Sequence, residues 1–418
     1  MKIAQIAPPW IAIPPKNYGG TENVIYNLVE EQVAQGHDVT LFAPGDARTS
    51  ARLVSFFPHA LIDSGVPWQA HLKAFYHFYK TIEYIQCHHF DIVHLHLSSS
   101  ADMYLFPLSV QLKTPCVMTI HSHFPFDRVQ SWIGDADTYY MEWMKSMPMI
   151  AISKQSCAHL PTQLLVKDVV YHGLPMKDFM PTVVRPDNYL AWLGRFVPEK
   201  GAHLAIQVAR ATKTPLVMAG TIDRHVVESV NYFEDQIKPQ IDGELIKYIG
   251  PVDLHAKVDL LSRARGFLNP IDWEEPFGMV MIEAMAVGCP VISFNRGAAS
   301  EVIDDQRSGF LINTIHEMVK CVDQLESLDR QSVRSYVEQK FSVRVMAEKY
   351  LRVYRRVRNS ALTGPALAAI TLSDPLSAPA FPFAFASSSY KSDNDRSNAF
   401  QGSLASSLTL EPDPEILL

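Results

Sequence analysis

The chain has 418 residues, a formal net charge of −7, 47% hydrophobic and 19% charged residues. That length exceeds one ordinary hydrophobic core and predicts two domains of a soluble, globular class. The acidic balance, without a basic stripe over most of the chain, argues against a duplex-DNA binder, and no stretch reaches the ~18 consecutive apolar residues that a bilayer-spanning helix needs.

Residues 3–7 are a short apolar run that reads as a buried strand, and Pro8 and Pro9 end it too early for a secretory leader. A loop with Pro14, Pro15, Gly19 and Gly20 follows. Thr21 is placed to cap a helix whose apolar face is Val24, Ile25, Leu28, Val29 and Val33, and Gly36 closes it. Residues 38–43 are the next strand, so the chain opens as a parallel α/β unit. Residues 68–86 read as a helix with a core-facing stripe of Leu72, Phe75, Tyr79, Ile82 and Ile85. Residues 91–95, 116–120 and 149–153 are further buried strands. A Pro-bearing joint spans 173–186, and a second series begins near Tyr189: strand 190–193, helix 202–212, strand 216–219, then alternation through Gly309. Residues 342–358 form a last helix. Beyond Ser360 the chain turns to Ala, Ser, Pro and Leu without a period, and residues 360–418 read as a disordered tail. Docking of its Phe381, Phe383 and Phe385 on a partner is the weaker reading.

Five cysteines (Cys87, Cys116, Cys157, Cys289, Cys321) are scattered without zinc-site or dithiol spacing, which suits buried free thiols in a reducing cytosol. The expected location is cytoplasmic, with a peripheral contact at the inner membrane face left open.

The segment Glu275-Pro276-Phe277-Gly278-Met279-Val280-Met281-Ile282-Glu283-Ala284-Met285-Ala286 carries the most information: two glutamates with seven residues between them and Phe-Gly at a helix start. With Gly19-Gly20-Thr21-Glu22, Thr119-Ile120-His121, Gly194-Arg195, Pro198-Glu199-Lys200-Gly201 and the Gly297–Glu301 stretch in order, the chain resembles the family 4 retaining glycosyltransferases of the GT-B fold from Met1 to about Arg358. The resemblance implies two doubly wound Rossmann-like domains facing across a cleft: an acceptor-side domain at 1–172, a nucleotide-sugar-binding domain at 187–341, and a C-terminal helix at 342–359 packing back toward the first domain.

It also implies roles. Arg195 and Lys200 would hold the donor diphosphate, Arg as a fork and Lys as a point charge. Gly278 would let an anion approach a helix N-terminus, with Phe277, Met279 and Val280 beside it as donor-binding residues. An ionised carboxylate only accepts hydrogen bonds, so Glu283 would hold ribose hydroxyls and Glu275 hexose hydroxyls; Glu274 is one residue too far from Glu283. Gly19 and Gly20, after the first strand, would let backbone donors reach the diphosphate or its acceptor-side neighbour. His121, at a strand's carboxyl end, would contact the transferred hexose. His94 and His96 share one strand face, but no third metal ligand is evident, and a structural or acceptor-side role is favoured. Asp135 and Asp137 imitate an Asp-x-Asp metal signature, yet the helical pattern after them favours capping. Arg352, Arg355, Arg356 and Arg358 crowd the last helix, where its dipole suffices to explain them.

The expected activity is therefore metal-independent, cofactor-free transfer of a hexose from a nucleotide-diphosphate sugar, UDP-sugar first, to an unknown glycan, lipid-linked or small-molecule acceptor, with no nucleic-acid partner. The alternatives are a nucleotide-sugar epimerase, a non-catalytic sugar-nucleotide binder, and an NAD dehydrogenase, which the absent Gly-x-Gly-x-x-Gly fingerprint disfavours.

Overall fold

The computed structural model describes residues 1–16, 19–123, 144–158, 160–224 and 226–363. Among them, the first half builds a seven-stranded parallel sheet from β1 (Lys2–Ile6), β2 (Asp38–Phe42), β3 (Arg52–Val54), β4 (Ile92–Leu97), β5 (Cys116–Ile120), β6 (Pro148–Ala151) and β7 (Leu165–Val169), in the order β3-β2-β1-β4-β5-β6-β7. The second half builds a six-stranded parallel sheet from β8 (Leu190–Arg195), β9 (Leu216–Thr221), β10 (Ile246–Tyr248), β11 (Gly266–Asn269), β12 (Val291–Phe294) and β13 (Gly309–Ile312), in the order β10-β9-β8-β11-β12-β13. Both are doubly wound α/β sheets, as the strand–helix alternation predicts. Helices cover both faces of a parallel sheet, so its inner strands are largely buried; all six residues of β4 are buried, His94 and His96 included. In each sheet the order reverses beside the first strand, between β1 and β4 and between β8 and β11. Crevices at the carboxyl ends of those strands are where such sheets bind ligands.

The last helix, Val343–Thr363, returns to the first half. Its Tyr350 and Tyr354 are fully buried among Ile3, Val24, Leu28 and Val117. The two passes between the halves run side by side: Leu174 N–H donates to Phe341 carbonyl, and Val343 N–H to Leu174 carbonyl, both at 2.8 Å. A Cβ on Gly173 would meet the Ser342 carbonyl oxygen at 2.6 Å, so only glycine allows this approach.

Three local expectations are corrected. The first helix runs from Gly20 to Ala34 with Gly19 as its N-cap and no side-chain cap, so Thr21 lies inside the first turn. Glu22 fills that turn and is buried there. The second helix is His71–Gln86, and its buried stripe is Ala74, His77, Phe78, Thr81, Ile82 and Ile85. Leu72 is 76% and Tyr79 44% exposed. The phase was hidden because two polar residues occupy the core face: His77 Nε2 lies 3.2 Å from the Ala7 carbonyl, and Thr81 donates to the His77 carbonyl at 2.8 Å. Helical backbone also continues past Ser360 to Thr363, so residues 360–363 of the expected tail are helical. The remaining tail, 364–418, and the Asp135/Asp137 pair lie outside the described residues.

Candidate active site at the carboxyl ends of the strands

β8 ends on Arg195, and a 3-10 turn, Pro198–Lys200, leads to the helix Ala202–Thr212. Gly201 joins them at φ 69°, a left-handed conformation that favours glycine. A Cβ there would lie 2.0 Å from the Pro270 carbonyl oxygen, so the turn after β8 sits hard against the loop after β11. Asp272 N–H donates to Glu199 carbonyl at 2.7 Å and ties the two loops together.

Lys200 and Glu275 meet across this seam. Lys200 Nζ lies 2.5 Å from Glu275 Oε2 and 5.0 Å over the Trp273 ring, while Trp273 Nε1 donates to the same carboxylate oxygen at 3.0 Å. Glu274 points elsewhere: its Oε2 accepts from the Gly297 N–H at 2.8 Å and from Gln155 at 3.3 Å. The neighbouring glutamates thus divide their work, one bracing the loop and one facing the cation.

Gly278 follows at φ 86° and is the N-cap of the helix Met279–Ala286. A Cβ would come within 2.3 Å of Met281 Cε. Within this helix Met281, Ile282, Ala284, Met285 and Ala286 are buried, leaving Met279, Val280 and Glu283 partly open. Glu283 carries an ion pair with Lys257 at 2.7 Å. Phe277 is 2% exposed and packs at ring distances of 5.0 Å on His172 and 5.9 Å on Phe341. Its side chain is a core element, and what it can offer a ligand is backbone.

From the other sheet, His121 stands just after β5. His121 N–H donates to Leu97 carbonyl at 2.9 Å, its ring stacks on His172 at 5.2 Å, and His172 contacts Phe277, so a continuous run of rings joins the end of β5 to the loop after β11. Burial depresses His121 well below the ordinary imidazole range, with the His96 and His172 rings adding to it. His172 is lowered to about 3 by burial. These rings are neutral at physiological pH. Gly19 and Gly20 stand between β1 and the first helix. A Cβ on Gly19 would meet Pro15 Cβ at 2.8 Å and Glu22 Oε2 at 2.9 Å, whereas Gly20 has open space around it.

The halves are braced by hydrogen bonds as well. Ser153 donates to the Pro276 carbonyl at 2.6 Å. The Glu301 carboxylate accepts from the backbone N–H groups of Lys154 and Gln155 at 2.8 and 2.7 Å, and from Tyr171 OH at 2.8 Å. His94 and His96 pack ring on ring at 4.0 Å inside the sheet. Among the described residues no group of three or more His, Cys, Asp or Glu side chains is arranged to hold a metal ion, and no helix is long and apolar enough to cross a membrane.

Sequence reasoning missed Trp273, Lys257, His172, Ser153 and the role of Glu301. Trp273 sits two residues from Glu275, and a search for donors beside the glutamate would have found it. Lys257 lies on the helix Leu254–Arg263 and reaches Glu283 only through the fold.

The arrangement is that of a GT-B glycosyltransferase: two Rossmann-like sheets whose strand ends face a shared seam of basic, acidic and glycine positions. Residues 179–340 match the model of glycosyl transferases group 1, and residues 18–176 match that of glycosyltransferase family 4. The chain belongs to the family 4, group 1 glycosyltransferases. Among its relatives are a Mycobacterium leprae phosphatidyl-myo-inositol mannosyltransferase, 24% identical over 86% of this chain and 98% of the relative, and Bacillus subtilis spore coat protein SA, 22% identical over 86% and 100%. Among solved structures, sucrose-phosphate synthase from Thermosynechococcus elongatus superposes with a TM-score of 0.68 at 18% identity, covering 86% of this chain and 99% of that one. Anabaena HepE, solved with UDP, superposes at 0.61 with 16% identity, covering 85% and 100%. These structures share the fold.

Proposed function

We propose that this glycosyltransferase moves a hexose from a UDP-sugar to a hydroxyl acceptor with retention at the anomeric carbon. The observation that carries the reading is the convergence of Arg195 and Lys200 from the end of β8 with Glu275 and Gly278 from the loop after β11, stitched together by the Lys200–Glu275 pair. A sugar-nucleotide donor leaves as an anionic diphosphate, so the site must supply positive charge where that anion develops. Arg195 can fork onto phosphate oxygens. Lys200 has three donors, and its bond to Glu275 leaves two for phosphate. The N–H groups opening the helix Met279–Ala286 add a further anion site, which Gly278 keeps accessible. These groups provide the positive field without a metal or cofactor.

The carboxylates take the hydroxyl side. Glu275 accepts from hexose hydroxyls and Glu283 from the ribose, each held in place by its lysine. Met279 and Val280, on the open face of the same helix, line the donor. His121 contacts the transferred hexose, and Gly19 and Gly20 give the diphosphate side backbone access from β1. With no carboxylate assigned beneath the sugar for a double displacement, the acceptor hydroxyl attacks on the leaving group's side. The new C–O bond forms as the bond to the diphosphate breaks, and a departing phosphate oxygen takes the hydroxyl proton. The protein contributes positioning and anion stabilisation.

The solved complexes of Anabaena HepE with UDP and with UDP-glucose support the choice of donor. The phosphatidyl-myo-inositol mannosyltransferase relatives keep a lipid-linked acceptor beside glycans and small molecules. A cytoplasmic protein touching an anionic membrane would use Arg352 and Arg355, because Arg356 pairs with Asp168 and Arg358 with Asp91 at 3.6 Å.

Thermal shifts with UDP, GDP, ADP, their hexose conjugates and NAD, without added metal, test the donor. A ligand that binds only the folded state adds about 2.7 kcal/mol at a hundred times its dissociation constant. Stabilisation by the uridine series, lost in Arg195→Ala, is expected. A response to NAD alone overturns the reading, a sugar–protein adduct trapped by mass spectrometry overturns the front-face route, and donor epimerised without acceptor indicates an epimerase.

A further inference from the structure

The hydrogen bonds behind His121 form one unbroken relay to the C-terminal helix. His121 Nε2 lies 2.8 Å from His96 Nδ1, and His96 Nε2 lies 2.8 Å from Gln5 Oε1. The Gln5 amide donates to Gln32 Oε1 at 2.8 Å and to Tyr354 OH at 3.2 Å. Tyr354 OH, accepting from Gln5 and from Gln32, lies 2.6 Å from His94 Nδ1, and His94 Nε2 lies 2.7 Å from Thr119 Oγ1, which donates to Tyr350 OH at 3.2 Å. All of these side chains are buried. Burial holds His94, His96 and His121 neutral, so each ring has one N–H and one lone pair.

Those facts set the direction of every proton. Gln5 presents its oxygen to His96, so His96 Nε2 carries the hydrogen and its Nδ1 is a lone pair. That lone pair requires His121 to donate from Nε2, which leaves His121 Nδ1 bare. Nδ1 is buried without a partner. Reversing the whole relay would put an N–H at that atom instead, and an orphaned buried N–H is rarer than an under-satisfied acceptor. At the far end the same logic has Tyr354 donating to His94 and His94 donating to Thr119, with no conflict.

We infer that Gln5, His96 and Tyr354 are positioning residues that hold His121 in the Nε2–H tautomer, so that its Nδ1 accepts a hydrogen bond from a hydroxyl of the transferred sugar. The C-terminal helix, far from the active site in sequence, thereby sets the chemistry of a cleft residue through Tyr354. This rests on the reading that His121 meets the hexose. It adds a selectivity: the site takes a donor whose hydroxyl at that position can give a proton, and discriminates against the deoxy or fluoro analogue, which cannot.

Long-range nitrogen–proton NMR on the full chain with labelled histidine, the His121 signals assigned by their loss in His121→Asn, reads the tautomer directly in the ligand-free wild type. A pyridine-type Nδ1 and a pyrrole-type Nε2 are expected; the opposite pattern overturns the inference whatever the activity of the variants. Gln5→Leu and Tyr354→Phe are each expected to mix the His121 tautomers and to lower kcat/KM about tenfold, the effect of one lost hydrogen bond, while the preference for hydroxyl over deoxy donor shrinks. Unchanged His121 signals in both folded variants overturn the relay. If His121→Asn turns over the donor as fast as wild type while the expected tautomer is present, the hexose contact fails and the relay stands.

Discussion

Glu22 is a buried acid whose replacement has a calculable consequence. It lies in the first turn of the helix Gly20–Ala34 at 4% exposure, and desolvation raises its carboxyl from 4.5 to about 7, with the Asp102 carboxyl adding to the rise. The folded state therefore binds this proton more tightly than the unfolded chain. The stabilisation is complete below about pH 4.5 and is lost as pH rises through about 7. At 1.36 kcal/mol per tenfold, the shift is worth about 3 kcal/mol. Glu22→Gln keeps the shape and never ionises. It is expected to match wild type near pH 4 and to exceed it by up to about 3 kcal/mol at pH 8. Denaturant unfolding at half-unit pH steps reads the difference between the two proteins, and other titrating groups cancel in that difference. A gap that stays flat between pH 5 and 8, or widens toward acid, refutes the buried-acid assignment.

The buried imidazoles act in the opposite direction. His77, lowered to about 4, and His172, lowered to about 3, stay neutral in the fold but charge in the unfolded chain below about 6.5; their stabilisation is lost as pH falls, and His77→Gln is expected to flatten the acid limb of a stability–pH curve. Gly278→Ala is expected to cost about 1–2 kcal/mol for its left-handed backbone, with more from the Met281 contact, and to abolish the thermal shift with donor nucleotide; an unchanged shift would remove the helix N-terminus from the donor site. Glu301→Ala leaves two backbone donors and a tyrosine hydroxyl without their acceptor and is expected to lower stability by about 2–3 kcal/mol, from hydrogen bonds to a charged group; proteolysis near residue 154 would report the loosened seam.

Much of this protein follows from local sequence. Largely apolar runs such as those of β4, its two histidines aside, and of β8 up to Leu193 belong to parallel strands covered on both faces, and their spacing with helices yields two doubly wound sheets without further information. The glycines were legible for the same reason: Gly36 ends a helix, and Gly201 and Gly278 stand at turns whose backbone admits little else. The Glu275–Glu283 segment marked the seam because its chemistry is written in consecutive residues. Periodicity failed in the helix His71–Gln86, where His77 and Thr81 take core positions by bonding backbone carbonyls, a compensation that no hydropathy pattern carries. Tertiary structure alone decided the partners. Lys257 meets Glu283, His172 bridges His121 to Phe277, and Tyr354 closes a relay to Gln5 across 349 residues of chain. A side chain's own neighbourhood sets its preference for strand or helix. Which lone pair faces which proton depends on chain passes that only the folded sheet brings within hydrogen-bonding distance.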